Sequence, residues 1–223
     1  MPDSTIRPPK QKRSQESLER VLEASKMLLA EHGFEAFTIQ DVSQAADVSV
    51  GAIYARFGSK ENLLRAVHRH AMESMRPEHE AVAAADGRPA KPAREVVVDA
   101  VQTVAGIFRG NEKLLRAFMH LGAVDDEISR RGSESSIDLA RQFGATVLAH
   151  RDEIAHPRAE IAVDVAFRMA YCTFARQVMY GPTFESDRPI EWDDLVEEVG
   201  NACAAYLLQE RPDAPRKRRA PVA

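Results

Sequence analysis

The sequence has few of the features that mark disulfide-bonded, secreted or membrane proteins. Two cysteines among 223 residues are too few for a disulfide scaffold. Cys172 and Cys203 each lie in an apolar stretch, which predicts reduced, buried thiols. No run of about 18 uncharged apolar residues occurs, and the polar N-terminus lacks the apolar segment of a secretory signal. We therefore expect a cytoplasmic protein that makes no contact with a membrane.

Motifs of the common enzyme and metal-binding classes are also missing. The sequence contains no glycine-rich phosphate loop, no HExxH, no GxSxG and no CxxC. His68 and His70 are two positions apart, so they lie on different faces of a helix and cannot share a metal ion as an i, i+4 pair could. We therefore expect no catalytic residue, no cofactor and no metal site.

Aromatic residues make up only 6% of the chain, and the abundant residue types favour helices over strands. Apolar residues recur at helical spacing, and glycines and prolines separate the periodic segments. This pattern predicts an all-α fold. The predicted helices are 14–33, 38–46, 49–57, a fourth that begins after Ser59 and reaches about residue 76, and then 94–109, 111–122, 126–151, 158–180 and 192–209.

The segment Thr38–Lys60 predicts a helix-turn-helix. Thr38-Ile39-Gln40-Asp41 is a helix start signal, and Asp47-Val48 follow as a tight turn. Ser49 then caps a second short helix that ends at Gly58. A second helix placed in this way can enter the major groove of DNA, which is about 12 Å wide.

The second helix, Ser49–Phe57, has a small surface near its N-terminus. Ile53 and Phe57 fall on its inner face, whereas Gly51 and Ala52 leave its backbone free to approach base edges, and an alanine or valine can touch a thymine methyl group. Tyr54 and Lys60 are predicted to hold phosphates, with Thr38 on the other flank. A half-buried core tyrosine and a solvated surface lysine are the alternatives. The predicted DNA contacts are Thr38, Ser49, Val50, Gly51, Ala52, Tyr54 and Lys60.

This segment resembles the DNA-binding part of the TetR/AcrR-type transcriptional regulators, over about residues 15–65. Asp47 stands where that family usually has a turn glycine, and Val50 where a polar or basic residue is common. Asp47 tolerates the left-handed conformation, so the turn is preserved. The residues that carry the resemblance are Gly33-Phe34, Thr38-Ile39, Ala45-Ala46, Val48-Ser49, Gly51, Ile53-Tyr54, Phe57 and Ser59-Lys60-Glu61-Leu63-Leu64.

The resemblance implies a repressor that binds a double-stranded DNA operator as a homodimer and is released by a small-molecule effector. Three prolines and four cations predict a disordered basic arm (1–13), and the prolines and basic run of the last residues predict a flexible tail (210–223). Between them, the resemblance implies a helix-turn-helix domain (14–60), a connecting helix (61–76) and a helical ligand-binding and dimerisation domain (77–209). Gly200 and Ala204 would let a partner helix approach closely. The candidate effector contacts are the aromatic and methionine residues Phe108, Phe118, Met119, Phe143, Phe167, Tyr171 and Phe174.

The sequence leaves two questions open: whether the chain binds DNA, and what Asp164 and Arg168 contact. Residues 77–210 carry an excess of acidic side chains, and residues 50–52 offer no polar group to a base. These features favour the alternative of a helical small-molecule-binding protein or scaffold that no longer binds DNA. Asp164 and Arg168, four residues apart, either contact a polar group on an effector or form ion pairs, with each other or across the dimer.

Overall fold

The computed structural model describes residues 10–81 and 91–209. Within these ranges every regular element is helical, which confirms the all-α prediction, and no helix there is long and apolar enough to cross a membrane. A short 3-10 helix spans Arg151–Glu153. The α-helices are α1 (Lys10–Ala36), α2 (Ile39–Ala46), α3 (Val50–Phe57), α4 (Lys60–Ala81), α5 (Ala93–Gly110), α6 (Glu112–Gly122), α7 (Asp126–Leu148), α8 (Ala159–Tyr180) and α9 (Trp192–Leu208).

The helix ends follow the sequence signals closely. Gly33, predicted to end the first helix, has a φ of 73° and interrupts the helical run of α1 there. The first helix begins at Lys10 rather than near Ser14, so the last part of the predicted arm is helical. The helix predicted to reach residue 151 ends at Leu148. Residues 1–9 of the arm, 82–90 and the tail 210–223 lie outside the described residues.

Two compact units divide the described residues. The first contains residues up to 78 together with 107–138, and the second contains residues 79–106 together with 139 onward. Segment 107–138, predicted to belong with the ligand-binding domain, therefore shares a unit with the helix-turn-helix. The assignment of residues 14–60 to DNA binding and of residues 77–209 to ligand binding and dimerisation stays a prediction.

One apolar core holds the first unit together. In α1, α2 and α3, Leu29, Val42 and Ile53 are at most 1% exposed, as is Leu63 in α4. Because helices as short as α2 and α3 are marginal alone, this shared burial is what stabilises them. Helix α1 also packs against α6, which contributes Leu114, Phe118 and Leu121 to the same core.

The second unit packs α8 against α9, with α5 alongside α9. A Cβ atom added to Gly200 would meet the side chain of Val98 in α5 at 3.5 Å, and Ala204 is fully buried. The prediction that these small residues admit a partner helix is therefore wrong, because the close neighbour belongs to the same chain. Cys203 is buried as predicted, whereas Cys172 is exposed on α8, contrary to the prediction.

Candidate nucleic-acid interface

Helix α2 starts where its capping signal predicts. The backbone amide of Asp41 donates to Oγ1 of Thr38 at 3.2 Å, and the same hydroxyl donates to the Asp41 carboxylate at 2.6 Å. Ile39 and Val42 are buried on the inner face. Thr38 itself stays exposed. The N-terminus of α2 therefore carries an exposed threonine whose hydroxyl caps the helix.

The turn between α2 and α3 is held from both sides. Asp47 adopts the left-handed conformation, with φ 51° and ψ 50°, as the sequence predicts for this position. The backbone amides of Asp47 and Val48 both donate to the carbonyl of Ser43. From α1, Nε of Arg20 donates to the carbonyl of Ala46 at 3.0 Å. This last bond fixes the turn against α1, and it joins residues too far apart in sequence for any spacing rule to reveal.

Helix α3 exposes the edge that the sequence predicts to contact DNA. The amide of Ala52 donates to Oγ of Ser49 at 3.2 Å, which caps the helix. Gly51 and Ala52 are exposed, and space for a Cβ on Gly51 is open to at least 4 Å. Tyr54 is 46% exposed, so about half of its surface is open to solvent, and its phosphate contact stays a prediction. Val50 is half-buried and packs against the core, so it presents less surface than its neighbours.

Lys60, at the start of α4, points to the beginning of α2. Its Nζ donates to the carbonyl of Phe37 at 2.6 Å and lies 5.3 Å and 5.5 Å from the ring centroids of Phe34 and Phe37. Because Phe37 precedes Thr38, the fold brings the ammonium group next to the α2 N-terminus. Lys60 is half-buried, so the alternative of a freely solvated lysine is wrong.

No sequence signal indicates that Arg56, near the end of α3, belongs to this site. Both terminal nitrogens of Arg56 donate to Ser14 in α1, one to the carbonyl at 2.9 Å and the other to the hydroxyl. Lys12 and Arg13, which are exposed, immediately precede Ser14. Helix α3 and the basic start of α1 are thus directly connected, by residues 42 positions apart.

The candidate effector residues divide between the two units. Phe118 belongs to the core of the first unit, where its ring meets that of His68 edge-on at 4.7 Å, and Phe108 and Met119 also fall in that unit. The remaining four lie in the second unit. A cleft of about 650 Å³ in the first unit, between the end of α1 and α6, is lined by none of the candidates.

Three of the second-unit candidates form an aromatic row. The rings of Phe143 and Phe167 are 5.6 Å apart, and those of Phe167 and Tyr171 are 5.5 Å apart. Phe174 packs instead on Trp192 at 5.7 Å. Of these residues Phe143 and Phe174 are fully buried and Tyr171 is partly exposed. On α8, Arg168 donates to Asp164 at 2.8 Å, so the two residues pair with each other.

The chain resembles known proteins in the sequence of part of its first unit and in its overall fold. Residues 21–67 match the sequence pattern of the bacterial regulatory proteins of the tetR family. Over 53 residues the chain is 42% identical to the HTH-type transcriptional repressor AcnR of Corynebacterium glutamicum and 40% identical to AcnR of Corynebacterium efficiens. The matched part is 24% of this chain, and it spans only 28% of the length of each of those relatives.

Solved structures resemble the chain over most of its length. A TetR transcription regulator from Haloarcula marismortui superposes with a TM-score of 0.68 at 17% identity, covering 87% of this chain and all of that one. Salmonella enterica GusR superposes with a TM-score of 0.61 at 17% identity, covering 91% of this chain and 98% of GusR. At such low identity these similarities establish the fold.

Proposed function

We propose that this chain, a TetR/AcrR-type regulator by its sequence match and its fold, is a cytoplasmic repressor that binds an operator as a homodimer and leaves it when a small molecule binds. The observation that carries the proposal is the exposed N-terminal edge of α3. Gly51 and Ala52 project from a helix whose inner face is fixed by Ile53, which is 1% exposed. A rigid helix with a low-relief outer edge fits the major groove closely.

Phosphate contacts would hold this helix in register. The N-terminus of α2 would offer hydrogen-bond donors once the Thr38 hydroxyl turns from the Asp41 carboxylate to a phosphate, and Lys60 adds a positive charge beside it. Tyr54, which is 46% exposed, adds a hydroxyl group from α3. In this proposal Lys60 acts mainly by positioning the start of α2, since its ammonium already donates to the carbonyl of Phe37. Such contacts orient a protein on DNA without reading its sequence.

A homodimer would use the exposed apolar side of α8. Ile161 and Met169 are 51% and 39% exposed, and half-buried Val165 lies midway between them at helical spacing. Cys172 continues the same row. Exposed apolar rows of this kind favour association with a second surface. Two-fold symmetry would then match two DNA half-sites about 34 Å apart.

The effector site would lie among the aromatic residues of the second unit. Phe143, Phe167 and Tyr171 form a row of rings, and Phe174 extends the apolar surroundings. Apolar and aromatic walls with a few polar groups are typical of small-molecule sites. The effector would favour a conformer in which the two α3 helices of the dimer no longer fit both half-sites. A coupling free energy of about 1–3 kcal/mol between effector binding and DNA binding is sufficient for release.

DNA selection followed by a salt titration tests the proposal. We expect the full-length protein to enrich a two-fold-symmetric sequence from a random duplex library. We also expect its affinity for that sequence to fall linearly on a log–log plot against salt concentration, because phosphate contacts release counterions. A protein that enriches no sequence and shows no salt-dependent retention on DNA would instead be the helical small-molecule-binding protein.

Two substitutions test the phosphate contacts. Tyr54→Phe removes one hydroxyl, and Lys60→Met removes the charge that supports the α2 N-terminus. We expect both variants to bind all duplexes more weakly by a similar factor, leaving the selected sequence unchanged. Lys113→Met, at an exposed position of α6, serves as the control. Wild-type affinity in both variants would refute the proposed contacts.

A further inference from the structure

We propose that Glu19 and Glu23 of α1, together with His70 of α4, bind one divalent first-row transition metal ion. The three ligand atoms, Nε2 of His70 and one carboxylate oxygen from each glutamate, all lie within 4.8 Å of one another. The glutamates are four residues apart, so they share one face of α1. The histidine comes from a helix 47 residues farther along the chain. The site therefore joins two helices of the first unit.

Two of the three ligand separations lie close to those that a shared ion requires, and the third, between the two carboxylate oxygens, is at most 4.8 Å. Nε2 of His70 is 3.6 Å from the Glu19 carboxylate and 2.7 Å from that of Glu23. A tetrahedral zinc ion with ligands at about 2.1 Å separates those ligands by about 3.4 Å. The distance to Glu19 already meets this requirement. The distance to Glu23 would lengthen by about 0.7 Å when the metal replaces the hydrogen bond between the imidazole and the carboxylate.

The ligand chemistry selects the class of ion. A neutral imidazole nitrogen with two carboxylate oxygens suits zinc and its neighbours in the first transition row. Magnesium and calcium prefer oxygen ligands alone, so the imidazole disfavours them. Three protein ligands also leave a coordination position for water. Access is open, because the side chains of Glu19 and Glu23 are 62% and 42% exposed, whereas that of His70 is 20% exposed and held in place by its helix.

Lys26 competes with the ion for Glu23. Its ammonium nitrogen lies 2.7 Å from the Glu23 carboxylate, one helical turn along α1. Because Lys26 already pairs with the Glu23 carboxylate and carries a positive charge, it would weaken the binding of a metal ion at this site. Removal of this lysine charge should therefore strengthen metal binding, whereas removal of the imidazole should weaken it. Opposite effects from two neighbouring residues are not expected of nonspecific binding to surface carboxylates.

Zinc titration of the full-length protein, followed by calorimetry and thermal unfolding, tests the site. We expect one zinc ion per chain, an unfolding temperature that rises with zinc concentration, and no comparable effect of magnesium. His70→Gln should weaken zinc binding by about a hundredfold. Lys26→Met should strengthen it by about tenfold, and the exposed-site control His32→Gln should leave it unchanged.

Cobalt and a second variant keep the test decisive. Bound Co²⁺ should give visible absorption bands in the wild type that Glu19→Gln, a change at an exposed position, weakens. If His70→Gln fails to fold, this variant and Lys26→Met still report on the site. Zinc binding that is absent in the wild type, or unchanged in Glu19→Gln and Lys26→Met, would overturn the proposal. Neither result depends on whether the chain binds DNA.

Discussion

The guanidinium group of Arg56, near the end of α3, donates a hydrogen bond to the backbone carbonyl of Ser14 in α1 at 2.9 Å. Its other terminal nitrogen donates to the Ser14 hydroxyl. Helix α3 is therefore hydrogen-bonded to the start of α1, directly after Lys12 and Arg13, which are exposed. If α3 lies in the major groove, this bond keeps two cations near the adjacent phosphates.

Arg56→Met tests that arrangement by removing both hydrogen bonds and keeping most of the side-chain stem. We expect DNA affinity to fall several-fold with a shallower salt dependence, because the start of α1 is no longer held beside α3. The free energy of unfolding should fall by no more than about 1 kcal/mol, since the contact is exposed. Fluorescence anisotropy and urea unfolding measure the two effects. Arg69→Met, at an exposed position of α4, is the control, and equal affinities of the two variants would contradict this role.

His68 makes the stability of the first unit depend on pH. The residue is 2% exposed, and its Nδ1 has no hydrogen-bond partner within the described part of the chain. Burial, and to a smaller extent the charge of Arg131, lower the pKa of His68 from 6.5 to about 4, although the charge of Asp125 opposes the shift. Between pH 6.5 and pH 4 the unfolded chain thus binds a proton that the folded chain does not.

Stability should therefore fall as the pH decreases through this window. The contribution of His68 is fully present above pH 6.5, and about 3 kcal/mol of it is lost by pH 4. His68→Leu should remove this component, and His120→Leu, at an exposed site, should retain it. Urea unfolding at a series of pH values gives the slopes. The same slope in wild type and His68→Leu would show that His68 does not cause the acid sensitivity.

The left-handed conformation of Asp47 predicts a stabilising substitution. With φ at 51°, a side chain at this position costs up to about 1 kcal/mol relative to glycine. We expect Asp47→Gly to raise the free energy of unfolding slightly, and Asp47→Val to lower it by more than 1 kcal/mol, because a branched side chain tolerates this conformation poorly. Thermal unfolding of the two variants measures the difference. A destabilised glycine variant would mean that the aspartate side chain contributes more than the strain costs.

Much of the fold could be predicted from the sequence because its signals are local. Thr38, Ser49 and Gly58 fix the ends of α2 and α3 through their own backbone neighbours, and all three behave as predicted. The pattern of apolar residues likewise gives the inward faces of these helices. Such features depend on residues within one or two turns, so periodicity and capping rules reveal them.

Long-range partners could not be predicted in this way. A small residue such as Gly200 indicates a close neighbour, but the sequence does not say that the neighbour is Val98 of the same chain. Phe118 is similarly of a residue type that is common in ligand sites, yet α6 packs in the first unit and buries Phe118 there. The hydrogen bonds of Lys60 and Arg56 span 23 and 42 residues, and no spacing rule covers such distances.

The proposed DNA binding depends on the open outer edge of α3, and Gly51→Leu tests this edge most directly. Space for a Cβ is open at Gly51 and equally at Gly106 in α5, so neither Gly51→Leu nor the matched control Gly106→Leu should reduce stability. Fluorescence anisotropy on the selected operator should show that Gly51→Leu loses at least about a hundredfold in affinity, since the added side chain prevents close approach to the base edges. Gly106→Leu should bind like the wild type. Wild-type affinity of a folded Gly51→Leu protein would contradict the claim that this edge enters the major groove.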